Sequence, residues 1–292
     1  MMQDAGIRLD RSRRRRRAEA VVNLVMCADD FGRSAAIDDA IVELAERGRL
    51  GAATVMVGEA KLWRSCAALK RVGTIEIGLH VVLSGDVSAE GRATLSGGYV
   101  PRDIDGLTRA ALLRRLPLDR IALEVVAQFD EFERVFGHAP HFVDGHQHCH
   151  MLPGIREIVL LTAAQRSPSC WVRSCEESLA SLIRRGVDRG RALRSAVLSR
   201  GMRASARALG LRANDGFAGL YDLRDPLNYH RRLPRFMDHA SGPNHLVICH
   251  PARAADSGDA IGPARVAEYD FLSRAPIELL AADRGLSLGA FR

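Results

Sequence analysis

In the stretch HFVDGHQHCHMLPGI (residues 141–155), one aspartate and three histidines occupy alternate positions: Asp144, His146, His148 and His150. Carboxylates and imidazoles bind divalent metals and move protons near neutral pH. The chain has only 10 histidines, and burying three so close together without a metal or polar partners would leave unmet hydrogen-bonding groups. Alternate side chains of a strand share a face, so Asp144 and His146 can point together into one cleft. Pro153 implies that the strand has ended by His150. At least one of the three histidines is therefore left for a structural role.

Other reactive groups also follow apolar runs. VVNLVMCADDFG carries Asp29 and Asp30, TIEIGLH closes on His80, and HLVICHPA contains His250. Singly these are weak signals, because paired acids after a strand commonly cap a helix and a lone strand-end histidine is more often a satisfied structural residue. Jointly they say more. One aspartate and two histidines make a three-ligand set that leaves coordination positions open for water and substrate. Of two neighbouring acids, one can be a ligand and the other a general base, while a distant histidine supplies a general acid.

These residues need elements to position them. The run before Asp29 reads as a buried parallel strand, and Ser34 as the N-cap of a helix through about Arg47. AATVMV is a second strand, residues 60–71 a helix, and TIEIGLH a third strand. Residues 84–106, with five glycines and Pro101, read as a long loop. Ile121, Val125, Phe129 and Phe132 recur at helical spacing within residues 118–136. HFVDGH is the next strand, and Pro153 is a good first-turn residue for the helix after it. CWVRS is short and strand-like, residues 181–212 have no strand pattern, HLVICHPA is a buried strand, and a last helix over about 263–282 leads into LSLGAF. Strand–helix alternation with reactive groups at strand ends predicts an α/β chain folded as a distorted β/α (TIM-like) barrel, with its chemistry at the C-terminal ends of the strands. The expected organisation is a disordered basic tail over residues 1–20, then a single domain over 21–292 with an arginine-rich helical insertion at about 181–215.

Composition narrows the class. At 292 residues and 47% apolar, the chain can bury a full core. No apolar run approaches the roughly 18 residues of a membrane span, and RSRRRRR stands near the start where a signal peptide would have an apolar segment. With six cysteines in no C-x-x-C pair, a cytoplasmic location is expected. The net charge of +7 is uneven: residues 1–20 carry +4, residues 181–212 carry +8, and the remainder about −5. Nucleic acid is not an expected partner, because no aromatics interleave with these arginines to stack bases. Peripheral contact of residues 181–212 with an anionic membrane stays open beside the blander reading of a solvated helical surface.

Four motifs, NLVMCADDFGRS, IGLHVVL, HFVDGHQHCHMLP and VICHPA, resemble in order and separation those of the YdjC-like carbohydrate deacetylases. That family includes chitooligosaccharide deacetylases and a hopanoid-biosynthesis-associated branch. The resemblance spans roughly residues 22–291. It implies a distorted β/α barrel that removes the acetyl group from an N-acetylated amino sugar, on an oligosaccharide or a glycolipid head group, using one divalent metal. By position, Asp30, His80 and His146 match the metal ligands, Asp29 the base and His250 the acid; failing His250, His148 would protonate the leaving amine. Family descriptions point to Mg²⁺, while two histidines and a carboxylate would also suit Zn²⁺. Arg173, after CWV, is a candidate for a sugar hydroxyl or the departing acetate, or else a surface ion pair; His148 and Asp144 are further candidates for substrate contact. A homodimer is compatible with the chain. The competing enzyme class is another metal-dependent amidohydrolase or a phosphoesterase, typically with two metals and bridging carboxylates.

Overall fold

The computed structural model describes residues 21–58, 62–85, 94–186, 189–225 and 228–292. The arginine tail expected over residues 1–20 lies outside them. Strand β1 (Val22–Phe31) is buried along nearly its whole length. Both of its edges are paired within a parallel sheet and both faces are covered, which is why its sequence shows an apolar run rather than alternation. The Ser34 hydroxyl accepts the Ile37 N–H and starts helix α1 (Ala35–Glu46), as its position in the sequence predicts. Then come β2 (Ala52–Val55), α2 (Leu62–Val72), β3 (Glu76–Val81), α3 (Ile104–Leu112), α4 (Leu118–Phe136) and β4 (Phe142–Gly145). After a 3₁₀ turn over His146–Met151 follow α5 (Ile155–Arg166), β5 (Trp171–Val172), α6 (Leu179–Arg185), α7 (Arg189–Leu198), α8 (Met202–Ala208), β6 (Arg212–Ala213) and β7 (Gly216–Ala218). The remaining elements are α9 (Tyr229–Asp238), β8 (Asn244–Cys249), α10 (Gly262–Arg274), α11 (Ile277–Ala282) and β9 (Leu286–Leu288).

All strand pairings are parallel, in the order β6-β5-β4-β3-β2-β1-β8-β7, with β9 added to the start of β1. The two ends of this sheet, β6 and β7, are consecutive in the chain. From Ala213 to Gly216 there are only three Cα steps, a reach of at most about 11 Å. The sheet is therefore curled almost into a closed barrel. Across the seam, the Asn214 side chain accepts the Ser174 N–H (2.7 Å) and donates to the carbonyls of Ser174 (2.8 Å) and Gly216 (2.8 Å). The expected β/α barrel is thus present in distorted form.

One apolar layer packs the sheet against its surrounding helices, with Phe129, Phe132, Ile41 and Leu44 in it. A smaller one fills the barrel interior with Val25, Phe142, Trp171, Phe217 and Leu246. At the end of the barrel away from the reactive strand ends, Phe291 stacks on Trp171 (4.8 Å between centroids) and Trp171 on Phe142 (4.2 Å).

Some boundaries differ from the sequence reading, each for a local reason. The strand through Asp144 ends at Gly145, so His146 opens a turn rather than continuing the alternation. The helix expected from Pro153 starts at Ile155, because Gly154 (φ 86°) takes a conformation outside the helix and its N–H is capped by Glu157. Pro276 divides the last helix into α10 and α11, with the preceding Ala275 pushed to an extended conformation. The end of the loop expected over 84–106 is already helical from Ile104, where Asp103 caps α3. The described residues of the expected insertion form α7, α8 and most of α6 and also reach the two-residue strand β6. Among the described residues no helix is long and apolar enough to cross a membrane.

Candidate metal centre

Strand ends bring the reactive residues together. Asp29 and Asp30 lie at the end of β1, His80 near the end of β3, His146 just past β4, and His250 just past β8. All five line one cavity of about 400 Å³, together with His148, Arg33, Tyr221 and Arg265. The backbone is unusual at three of its residues: Asp30 (φ 71°), Gln147 (φ 51°) and His148 (φ 59°) are non-glycine residues in the left-handed region. Such conformations cost of order 1–3 kcal/mol each and persist where surrounding contacts enforce them, often at functional sites.

Asp30, His80 and His146 offer one ligand atom each, all within 4.8 Å of one another. Asp30 Oδ1 lies 3.4 Å from His80 Nε2 and 3.1 Å from His146 Nδ1. The other nitrogen of His80 meets Asp144 Oδ1 at 2.6 Å, an arrangement made possible by the β3–β4 register that sets His80 beside Asp144. A carboxylate behind a histidine in this way fixes the ring and makes its far nitrogen a better ligand. Burial alone would lower the pKa of His80, but Asp144, Asp30 and Asp29 outweigh it and push it up to about 10. The same concentration of negative charge favours a bound divalent cation. For His146, burial prevails over Asp30 and lowers the pKa, keeping that imidazole neutral and able to coordinate. Two imidazole nitrogens and one carboxylate oxygen, buried and convergent, are a donor set that fits a single divalent ion.

Beside this triad, Asp29 takes a bidentate contact from Arg173, at 2.7 Å to Oδ2 and 2.6 Å to Oδ1. Burial would raise the Asp29 pKa, but Arg173 overrides it and holds the carboxyl down at about 2. Arg173 also meets Asp144 at 2.6 Å and is completely buried. Arg173 and Asp144 therefore sit one layer behind the cavity wall, where they orient Asp29 and His80, and the surface ion pair considered for Arg173 does not form. His250 Nε2 is 3.9 Å from Asp29 Oδ2. Its backbone N–H is held by the buried Glu268, which also accepts the Tyr221 hydroxyl (2.6 Å). His148 faces the cavity with its ring against Phe217, and burial with the Arg173 charge keeps its pKa well below the usual value. His150 turns away and bonds the Arg173 carbonyl at 3.1 Å, the structural role left for one of the three histidines.

The sequence reading missed Arg265, Asp259 and Glu268. Arg265, 2% exposed, joins Asp30 Oδ2 to Asp259 Oδ2, each at 2.6 Å. Arg265 and Glu268 are spaced one turn apart on α10, a pattern that alone gives no sign of partners at the ends of β1 and β8.

A family model described as YdjC-like protein matches residues 23–280. The chain belongs to the YdjC-like family. Curated relatives of this YdjC-like chain include the chitooligosaccharide deacetylase of Klebsiella pneumoniae (strain 342), 29% identical over 284 residues that cover 92% of this chain and 98% of that protein. A protein of the same name from Salmonella heidelberg (strain SL476) is 28% identical over 281 residues, covering 92% and 97%. Among solved structures, an Enterococcus faecalis V583 protein provisionally assigned to cellobiose-phosphate cleavage superposes with a TM-score of 0.65 at 18% identity, covering 92% of this chain and 97% of that one. That likeness bears on the fold alone.

Proposed function

We propose that this YdjC-like chain is a metal-dependent hydrolase that removes the acetyl group from an N-acetylated amino sugar. The observation that carries the reading is the pairing of the Asp30–His80–His146 triad with a second, separately held carboxylate, Asp29, and with His250 at the same cavity. The curated relatives named as chitooligosaccharide deacetylases support the substrate class. A divalent ion held by the triad would supply a Lewis acid that lowers the pKa of water and polarises the acetyl carbonyl. Asp29, kept ionised by Arg173, accepts a proton from the attacking water as the new C–O bond forms. His250 Nε2 then delivers a proton to the sugar nitrogen as the C–N bond breaks, giving acetate and a free amine. His148 is the second candidate for that donation, although its low pKa favours the neutral form. Arg173 and Asp144 act by orientation rather than by substrate contact.

Ligand chemistry supports Zn²⁺, and the family resemblance supports Mg²⁺. The deciding experiment incubates the protein with N-acetylated chitooligosaccharides and N-acetylglucosaminyl glycolipids, with and without chelator, then with each metal restored. Mass spectrometry should record the loss of one acetyl group, abolished by chelation. Intact substrates in every metal-loaded sample would refute the reading. Segment 181–212 supports a subsidiary proposal, peripheral contact with an anionic lipid surface, because Ile183, Leu193 and Val197 are exposed there among its arginines.

A further inference from the structure

Asp30 has to serve as a ligand from an awkward position. Its backbone is left-handed, its neighbour Asp29 carries a like charge, and its carboxylate is almost wholly buried. Left alone, such a carboxylate would rotate to offer both oxygens to a cation, or would turn away from Asp29. The structure divides its two oxygens instead. Oδ1 faces the two histidines, while Oδ2 takes a 2.6 Å bond from Arg265 Nη2. Arg265 is in turn clamped through its Nε by Asp259 Oδ2 at 2.6 Å. The same device appears at Asp29, where Arg173 bridges to Asp144. Each adjacent acid thus has its own guanidinium, and each guanidinium is anchored on a further acid.

We propose that Arg265 is a positioning residue which, anchored by Asp259, restricts Asp30 to a single ligand oxygen and so fixes both the affinity and the coordination number of the metal centre. The inference rests on the metal reading of the triad. Arginine suits the role because its planar fork reaches two carboxylates at once in fixed directions, which a lysine ammonium cannot do. With Oδ2 occupied, the protein supplies three ligand atoms, and the remaining positions stay available to water and substrate.

The test uses Co²⁺, whose visible absorption reports coordination number, on the full-length protein and its Arg265→Gln, Arg265→Lys and Asp259→Asn variants. Dissociation constants come from Co²⁺ titration by calorimetry, and folding is checked by circular dichroism and thermal melting. Arg265→Gln should change Co²⁺ affinity by roughly 10- to 100-fold, the usual size of an effect from a group behind a ligand, and should weaken the visible band as Asp30 becomes free to bind through both oxygens. Arg265→Lys should not restore the wild-type spectrum. Asp259→Asn, which keeps the Arg265–Asp30 bond but loosens its anchor, should shift both readouts in the same direction by a smaller amount, and it decides the question if Arg265→Gln fails to fold. A folded variant with lowered melting temperature but wild-type Co²⁺ affinity and spectrum would show that Arg265 only stabilises the fold, and would overturn the proposal. Absence of Co²⁺ binding by the wild-type chain would instead refute the metal reading itself.

Discussion

At the scale of single residues, two neighbouring aspartates are held by different partners. Asp30 is turned to the histidines and Asp29 to Arg173. His80→Ala and His146→Ala should therefore each lose bound metal and turnover while keeping the fold, measured by metal analysis of the purified variants beside circular dichroism. Asp29→Asn should keep its metal and lose about 10²- to 10⁴-fold in turnover, the usual cost of removing a general base. If Asp29→Asn came out metal-free, the roles of the two acids would have to be exchanged. The cysteines permit a test of a different kind. All six are buried, and burial raises the Cys66 and Cys149 thiols to about 12 and Cys170 to about 11. Only the thiolate reacts readily. Alkylation of the native protein should stay slow up to pH 9, far below the rate in denaturant; rapid native labelling at pH 8 would contradict this packing. Asp30, His80 and His146, matched to metal ligands through the family resemblance, converge in the fold, and in the sequence each follows an apolar run or sits within the histidine cluster. Arg265 and Glu268 gave no such sign, since their partners Asp30, Tyr221 and His250 lie 235, 47 and 18 residues away, and Asp259 matters only through its bond to Arg265.

At the scale of elements, long and strongly periodic segments were read well, while of the three shortest strands only β5, within CWVRS, was anticipated. Residues 118–136 form α4 as expected, because four apolar residues at helical spacing mark the buried face. Strands β5, β6 and β7 have only two or three residues each, too few for any period to appear. They are held by neighbours rather than by their own sequence, and Asn214 carries much of that burden at the seam. Asn214→Ala would remove three hydrogen bonds and leave the Ser174 N–H without its acceptor in a buried place. The expected loss is about 2–4 kcal/mol, from about 1 kcal/mol per bond plus the cost of a buried unpaired group. Chemical denaturation of the two proteins measures it, and a loss below 0.5 kcal/mol, the order of a typical surface change, would show that the seam does not depend on this side chain.

At the scale of the whole molecule, charge is distributed unevenly. The +8 segment at 181–212 and the exposed apolar side chains Ile183, Leu193 and Val197 belong to the same region as Arg194, Ser195 and Leu198, which line the cavity. A basic residue near an anionic bilayer contributes about 1 kcal/mol, so a few suffice for reversible adsorption. The protein should co-sediment with vesicles containing phosphatidylglycerol and not with phosphatidylcholine alone, and higher salt should release it. A variant carrying Leu193→Asp and Val197→Asp should bind less at both salt concentrations. Equal sedimentation of wild type and variant would sink the idea of a lipid-facing segment.

The place of β1 in the sheet has a consequence for how the chain is made. It is an interior strand of the curled sheet, and its main partner on one side is β8, paired from Asn23↔Asn244 to Ala28↔Cys249, with β9 pairing at its start. β8 lies some 220 residues further along. At about 5–20 residues per second, a ribosome needs roughly 10–45 s to deliver it. Throughout that interval the apolar strand that carries Asp29 and Asp30 has an unpaired edge, which invites association with other chains. Contacts so distant in sequence also slow folding in general. Synthesis rate and chaperone supply, more than equilibrium stability, should govern how much active protein a cell recovers.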